Sequence, residues 1–107
     1  MLAIAVRIVR WVSDDQPGIV ECSLTDRFGR NWRFIEKLPV VSTLPLDGSS
    51  SYPSPGSIAC HVVSRGRDGS GREFAEVDTE LPWGIAAVEG TTCFQVFVDE
   101  LVQLTGR

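Results

Sequence analysis

One histidine, three cysteines and a net charge of −4 are the first constraints in this 107-residue chain, and each bears on a class of function. His61 is the sole imidazole. A nucleophile–base pair with its neighbour Cys60 fails, because adjacent residues of a strand point to opposite faces. Cys22, Cys60 and Cys93 are an odd number without close spacing, so neither a disulfide framework nor a zinc site of the usual paired kind is indicated. Reduced thiols in a cytoplasmic protein are the expectation. No run approaches the roughly eighteen apolar residues of a membrane span. The opening "MLAIAVRIVRWV" lacks a basic region before its apolar run, and Arg7 and Arg10 interrupt it, so it does not read as a signal peptide. A pI of about 4.8 makes nucleic acid a poor default partner, since that affinity rests on neutralised phosphates. A local basic face built from Arg30, Arg33 and Arg65 is the remaining route to it.

Catalytic signatures are missing too. There is no G-x-S-x-G, and "GSSS" supplies neither base nor oxyanion hole. "GRDGSG" lacks the G-x-x-x-x-G-K-[ST] pattern of a phosphate-cradling loop and reads as a hairpin turn. No cofactor is implied. Apart from the C-terminus, no segment holds helical periodicity for three turns.

What the chain does have is an ordinary apolar fraction, 43%, with 22% charged residues, enough for one domain over 1–107 with its own core. The apolar pattern has period two. "LAIAVRIV" sets Leu2, Ile4, Val6 and Ile8 on one face. Val9 and Trp11 then shift the apolar side, which predicts a bulge after Ile8. "SDDQPG" is a turn. "IVECSLTD", the turn "DRFGR" and "NWRFIEK" form a hairpin with Gly29 in the left-handed position. "SIACHVVSR" and "REFAEVDT" are strands around the second hairpin turn, and "TTCFQVFV" is the last. "DELVQL" reads as a short C-terminal helix capped by Asp99. Together these predict an all-β fold, a small six-stranded antiparallel barrel or closed sandwich with a short C-terminal helix. An oligonucleotide-binding type of barrel would want a helix between its third and fourth strands, where this chain places prolines and serines.

That segment, "LDGSSSYPSPGS" (46–57), reads as a long connection across the barrel rather than a linker. Tyr52 and the prolines should pin it, and Gly48 to Ser51 should be its mobile part, either capping a barrel mouth or gating a pocket near His61 and Trp83.

Glu76, Asp78 and Glu80 alternate and should share one strand face, with the turn residues Asp14 and Asp15 as candidates for the same end. The ordinary fate of such a stripe is solvation, with cross-strand arginines such as Arg65 or Arg72 as partners. The functional alternative is an acidic docking stripe. Trp32 should pack inside. Trp83, in "ELPWG", either plugs a barrel end or stands as a binding anchor.

The segments "FIEKLPVVS", "YPSPGSIAC" and "VDTELPWGI", between Phe34 and Ile85, resemble small uncharacterised bacterial all-β single-domain proteins. The resemblance implies a bacterial protein of one domain and carries no mechanism. The sequence points to a non-enzymatic module that binds another protein, in one form an immunity or antidote-like protein masking a basic toxin. Tyr52, Glu76, Asp78, Glu80 and Trp83 are its candidate contacts, and an exposed edge strand is a route to a homodimer. A small-ligand barrel or an enzyme with a pocket at the barrel mouth is the alternative.

Overall fold

The computed structural model describes residues 1–104. Among the described residues there are eight strands: β1 (Leu2–Ser13), β2 (Ile19–Thr25), β3 (Asn31–Lys37), β4 (Ser54–Ala59), β5 (His61–Arg67), β6 (Glu73–Asp78), β7 (Cys93–Phe97) and β8 (Leu101–Gln103). A single helical turn, α1 (Leu38–Val41), follows β3. All pairings are antiparallel. One sheet runs β3-β2-β1-β4 with β8 also on β1, and the other runs β5-β6-β7.

β1 organises the first sheet. Ile4, Val6 and Ile8 are buried, as their alternation requires. The ladder with β2 passes from Ile8↔Cys22 to Arg10↔Glu21, so Val9 is an extra residue. That is the expected bulge, and it lets Trp11 lie beside Val20. Facing this sheet, Ala75, Val77, Phe94 and Val96 of β6 and β7 join the same buried cluster as Val20, Cys22, Leu24, Phe34 and Ile58. Phe94 stands at the seam, its ring 5.2 Å from that of Trp32 at 73° and 5.6 Å from that of Phe34. Trp32 is accordingly only half-buried, packed against the core from its margin.

Two hairpin turns use one design. In Asp26–Arg30 and Asp68–Arg72 the first residue's amide bonds the fifth residue's carbonyl, and the fourth residue, glycine, bonds back to the first. Gly29 and Gly71 have φ of 83° and 84°, where a side chain is strained. The aspartate carboxylate then accepts the amides of the third and fifth residues. In Asp68 the Ser70 hydroxyl and the Arg72 amide favour the ionised form and hold the carboxyl below its usual range.

Three expectations are corrected. "SIACHVVSR" is not one strand. The chain leaves the first sheet after Ala59 and enters the second at His61, with the Cys60 amide donating to the Leu2 carbonyl at 3.0 Å. Ala59 and Cys60 are both buried at this crossing, so both faces read as apolar. Secondly, "DELVQL" is not a helix. Val98–Glu100 form one 3₁₀ turn without a side-chain cap, and β8 pairs Leu101↔Ile4 and Gln103↔Leu2. The open edge of β1 satisfies these backbone groups, where so short a helix would be marginal alone. Asp99 instead meets Arg72 at 3.1 Å. Thirdly, the all-β, antiparallel character stands, but the six-stranded barrel or closed sandwich is replaced by eight strands, among the described residues, in two sheets that do not close. β3 and β7 form no ladder. Single bonds from the Arg27 amide to the Gln95 carbonyl and from the Val88 amide to the Arg33 carbonyl, both 2.8 Å, link the neighbouring edges. The two-residue-period pattern specifies faces, not closure, and the loop 79–92 occupies the place a closing ladder would need.

In the connection before β4, Tyr52 donates its hydroxyl to the Asp47 carbonyl at 2.7 Å. The serines wrap the Asp47 carboxylate, which accepts the Ser49 amide at 2.8 Å and its hydroxyl at 2.7 Å. The last third of that segment is regular structure: its residues 54–57 open β4 (Ser54–Ala59), and Pro55 lies opposite Arg7.

Candidate functional site

The outer face of the second sheet is laid out in rows by its register. Phe74 lies between Gly66 and Phe97, Glu76 between Ser64 and Gln95, and Asp78 between His61 and Cys93. Phe74, Glu76 and Asp78 are half-buried, while Ala75 and Val77 between them face the core. The alternation of "EFAEVD" thus places Glu76 and Asp78 on one face, as expected. Glu80 lies just beyond β6, in the loop, and is exposed. Its amide bonds the Asp78 carboxylate at 2.9 Å.

The turn between β2 and β3 leans over the β7 side of this face. Arg27 is the clasp. Its guanidinium lies over the Phe74 ring at 3.9 Å and the Phe28 ring at 4.2 Å, and its Nε donates to Gln95 Oε1 at 2.7 Å. Asp26 Oδ2 accepts the Trp32 indole N–H at 3.0 Å, and Arg30 lies on the Trp32 ring at 3.9 Å. Between turn and sheet runs a groove of about 350 Å³ lined by Asp26, Phe28, Arg30, Trp32, Glu76, Cys93, Phe94 and Gln95. It is the seam left where the two sheets fail to close.

The charges in this groove are unequally matched. Asp26 is satisfied by the turn amides and the indole, and Arg30 reaches Glu89 at 3.7 Å. Among the described residues, Glu76, Asp78 and Glu80 take part in no ion pair. The arginines expected to neutralise them are elsewhere: Arg65 pairs in register with Ala75, and Arg72 stacks on Phe97 at 3.5 Å and bonds Asp99. Phe28, at the tip of the turn, is 67% exposed, with the Arg27 guanidinium on its ring.

The remaining candidates are not gathered here. Tyr52 belongs to the connection beside Trp11, whose ring covers Gly48, and Trp11 pairs with Val20 at the start of β2. The groove is at the other end of that strand. Trp83 is 40% exposed in the loop 79–92, neither a buried plug nor part of the groove, with Leu81 and Val88 also exposed in the same loop. Asp14 also lies far from the stripe, accepting the Trp11 indole N–H at 2.8 Å. A groove beside the loop 42–53 and the start of β4 is lined by Val41–Leu44 and Pro55–Ser57, without His61 or Trp83.

The register also settles the thiols. Cys93 and His61 lie on the same face, but Asp78 stands between them. Two strand spacings, about 10 Å, separate them, beyond the reach of a nucleophile and its base. Cys22 and Cys60 are buried, and burial pushes their thiols up to about 12 and about 11, with Glu36 and Glu21 adding to the effect on Cys22. Among the described residues no group of three His, Cys, Asp or Glu side chains could hold a metal ion, and no helix is long and apolar enough to cross a membrane.

Phe28, Arg27 and Asp26 were not singled out by sequence reasoning, because "DRFGR" is fully accounted for as a turn. The available signal was a phenylalanine at a turn tip, flanked by arginines. Comparisons with family models, with curated proteins and with solved structures find no match.

Proposed function

We propose that the chain is a non-enzymatic, single-unit interaction module and that it binds a partner protein through the outer face of the second sheet. The observation that carries this reading is the groove in which exposed Phe28 and the half-buried ring of Trp32 adjoin Glu76, a carboxylate with no ion-pair partner among the described residues. An aromatic ring beside an unneutralised charge combines the two contributions that interfaces use, desolvated area and directional pairing. The acidic balance of the whole chain favours a basic partner and speeds encounter with one. Masking a basic protein, as an immunity or antidote protein does, is one form of this activity.

The test is retention of a partner from a lysate of the native host by immobilised protein. Wild type should retain a discrete protein, and a Phe28→Ala/Glu76→Gln variant with an unchanged melting curve should release it. Retention of nothing, with the protein behaving as an inert monomer, overturns the proposal.

A further inference from the structure

The interaction reading leaves open what chemistry the partner presents, and the surface itself narrows it. All four guanidinium–aromatic stacks recorded among the described residues fall on this face and its overhanging turn: Arg27 on Phe28 and on Phe74, Arg30 on Trp32, and Arg72 on Phe97. The three arginines that make these stacks each also meet an oxygen in the same neighbourhood: Arg27 donates to Gln95, Arg72 donates to Asp99, and Arg30 forms an ion pair with Glu89 at 3.7 Å. The recurring arrangement is a planar cation with an aromatic face beneath it and an oxygen at its edge. One set of components is left unused. Among the described residues Glu76 has no cationic partner, and Phe28 remains 67% exposed with Arg27 already in place. Both line the same groove.

We infer, resting on the interaction reading above, that the groove receives an arginine side chain from an extended segment of the partner, its guanidinium lying against Phe28 and meeting the Glu76 carboxylate. Charge complementarity selects a cation, because the other groove charges are matched internally and Glu76 is not. Geometry selects arginine over lysine. A planar fork can stack on a ring and bond a carboxylate at once, whereas an ammonium is a compact, strongly hydrated charge. Asp78, in the next row of the same face, offers a second carboxylate to a neighbouring basic residue.

The experiment is a titration of ¹⁵N-labelled protein with the capped pentapeptide Gly-Ser-Arg-Ser-Gly and with versions carrying lysine or citrulline in place of arginine. Citrulline keeps the shape and removes the charge. The arginine peptide should shift the Trp32 indole N–H and the Gln95 and Cys93 amides, the lysine peptide should bind more weakly, and citrulline should produce no shift. Glu76→Gln and Phe28→Ala should each weaken arginine binding by at least about tenfold. Neither side chain belongs to the buried cluster, and matching melting curves verify the fold. Shifts scattered over the acidic surface, shifts unchanged in both variants, or none at millimolar peptide overturn the inference. If those results came with a partner still retained in a Phe28-dependent way, only the arginine assignment would fall. Loss of all partner retention while the peptide still bound would instead remove the interaction reading.

Discussion

Replacing Phe94 tests the claim that an aromatic contact holds the two sheets together where no ladder does. Phe94 is 4% exposed and touches both Trp32 and Phe34 through tilted or edge-on rings. Truncation to alanine removes the apolar transfer energy and leaves a cavity, a cost of about 3–5 kcal/mol. Leucine keeps most of the transfer energy and fills most of the space, so it isolates the ring geometry. Each aromatic pair is worth about 0.5–1.5 kcal/mol beyond area burial. With two pairs lost, Phe94→Leu should cost about 1–3 kcal/mol, a large part of the roughly 5–15 kcal/mol that holds a domain together. The melting temperature should fall by at least about 4 °C. Urea unfolding followed by tryptophan fluorescence and far-UV circular dichroism measures it, with the midpoint moving at constant slope. A double-mutant cycle with Trp32→Leu should return a coupling of about 0.5–1.5 kcal/mol. A leucine variant within about 0.5 kcal/mol of wild type, or strict additivity with Trp32→Leu, refutes the argument.

Three further outcomes follow from the turns, the packing and the thiols. Gly71→Ala should cost about 1 kcal/mol in thermal unfolding, because φ of 84° is strained for alanine, whereas Gly69→Ala, with open space and ordinary φ, should be neutral or slightly stabilising. Gly66→Ala sets a methyl 2.8 Å from Phe74 Cζ, so it should displace that ring, loosen Arg27 above it and destabilise by about 1 kcal/mol, read from the melt and from the Arg27 Nε–H resonance. At mildly alkaline pH a thiol reagent should label exposed Cys93 promptly and Cys22 and Cys60 only on unfolding. Because the buried thiols sit above their unfolded value, the stability they confer is complete below about pH 9 and is lost as pH rises toward about 11 and 12; a denaturation series across that range should show it, and Cys22→Ala should flatten the slope.

The parts of this fold that could be read from sequence are those set by neighbours in the chain. Gly29 and Gly71 mark their turns because positive φ is a local demand. The alternation at Ile4, Val6 and Ile8 gave the buried face of β1, and the break at Val9 gave its bulge, because each residue's face depends only on the one before. Cys60 was opaque for the opposite reason. Nothing local distinguishes a strand that continues from one that changes sheets while both sides stay covered. Leu101–Gln103 were misread because their partner lies at the far end of the chain. Of the site, the shared face of Glu76 and Asp78 was legible from period two. Phe28 and Arg27 were not, since the groove exists only after the β2–β3 turn meets β7, and that meeting is made by contacts far apart in sequence, Arg27 with Gln95 and Trp32 with Phe94.

The position of β1 sets the order in which this protein can be completed. Its Leu2–Ile4 segment waits for Leu101–Gln103, and its middle waits for Ser54–Ala59, while only the far end finds β2 nearby in sequence. During synthesis, therefore, this apolar strand precedes its partners and keeps an unpaired edge until Leu101–Gln103 have followed it. Such non-local pairing slows folding to the millisecond-to-second range and leaves the early strand open to pairing with another copy in the meantime. Arg7 and Arg10, exposed on that strand, are charges of the kind that discourage it.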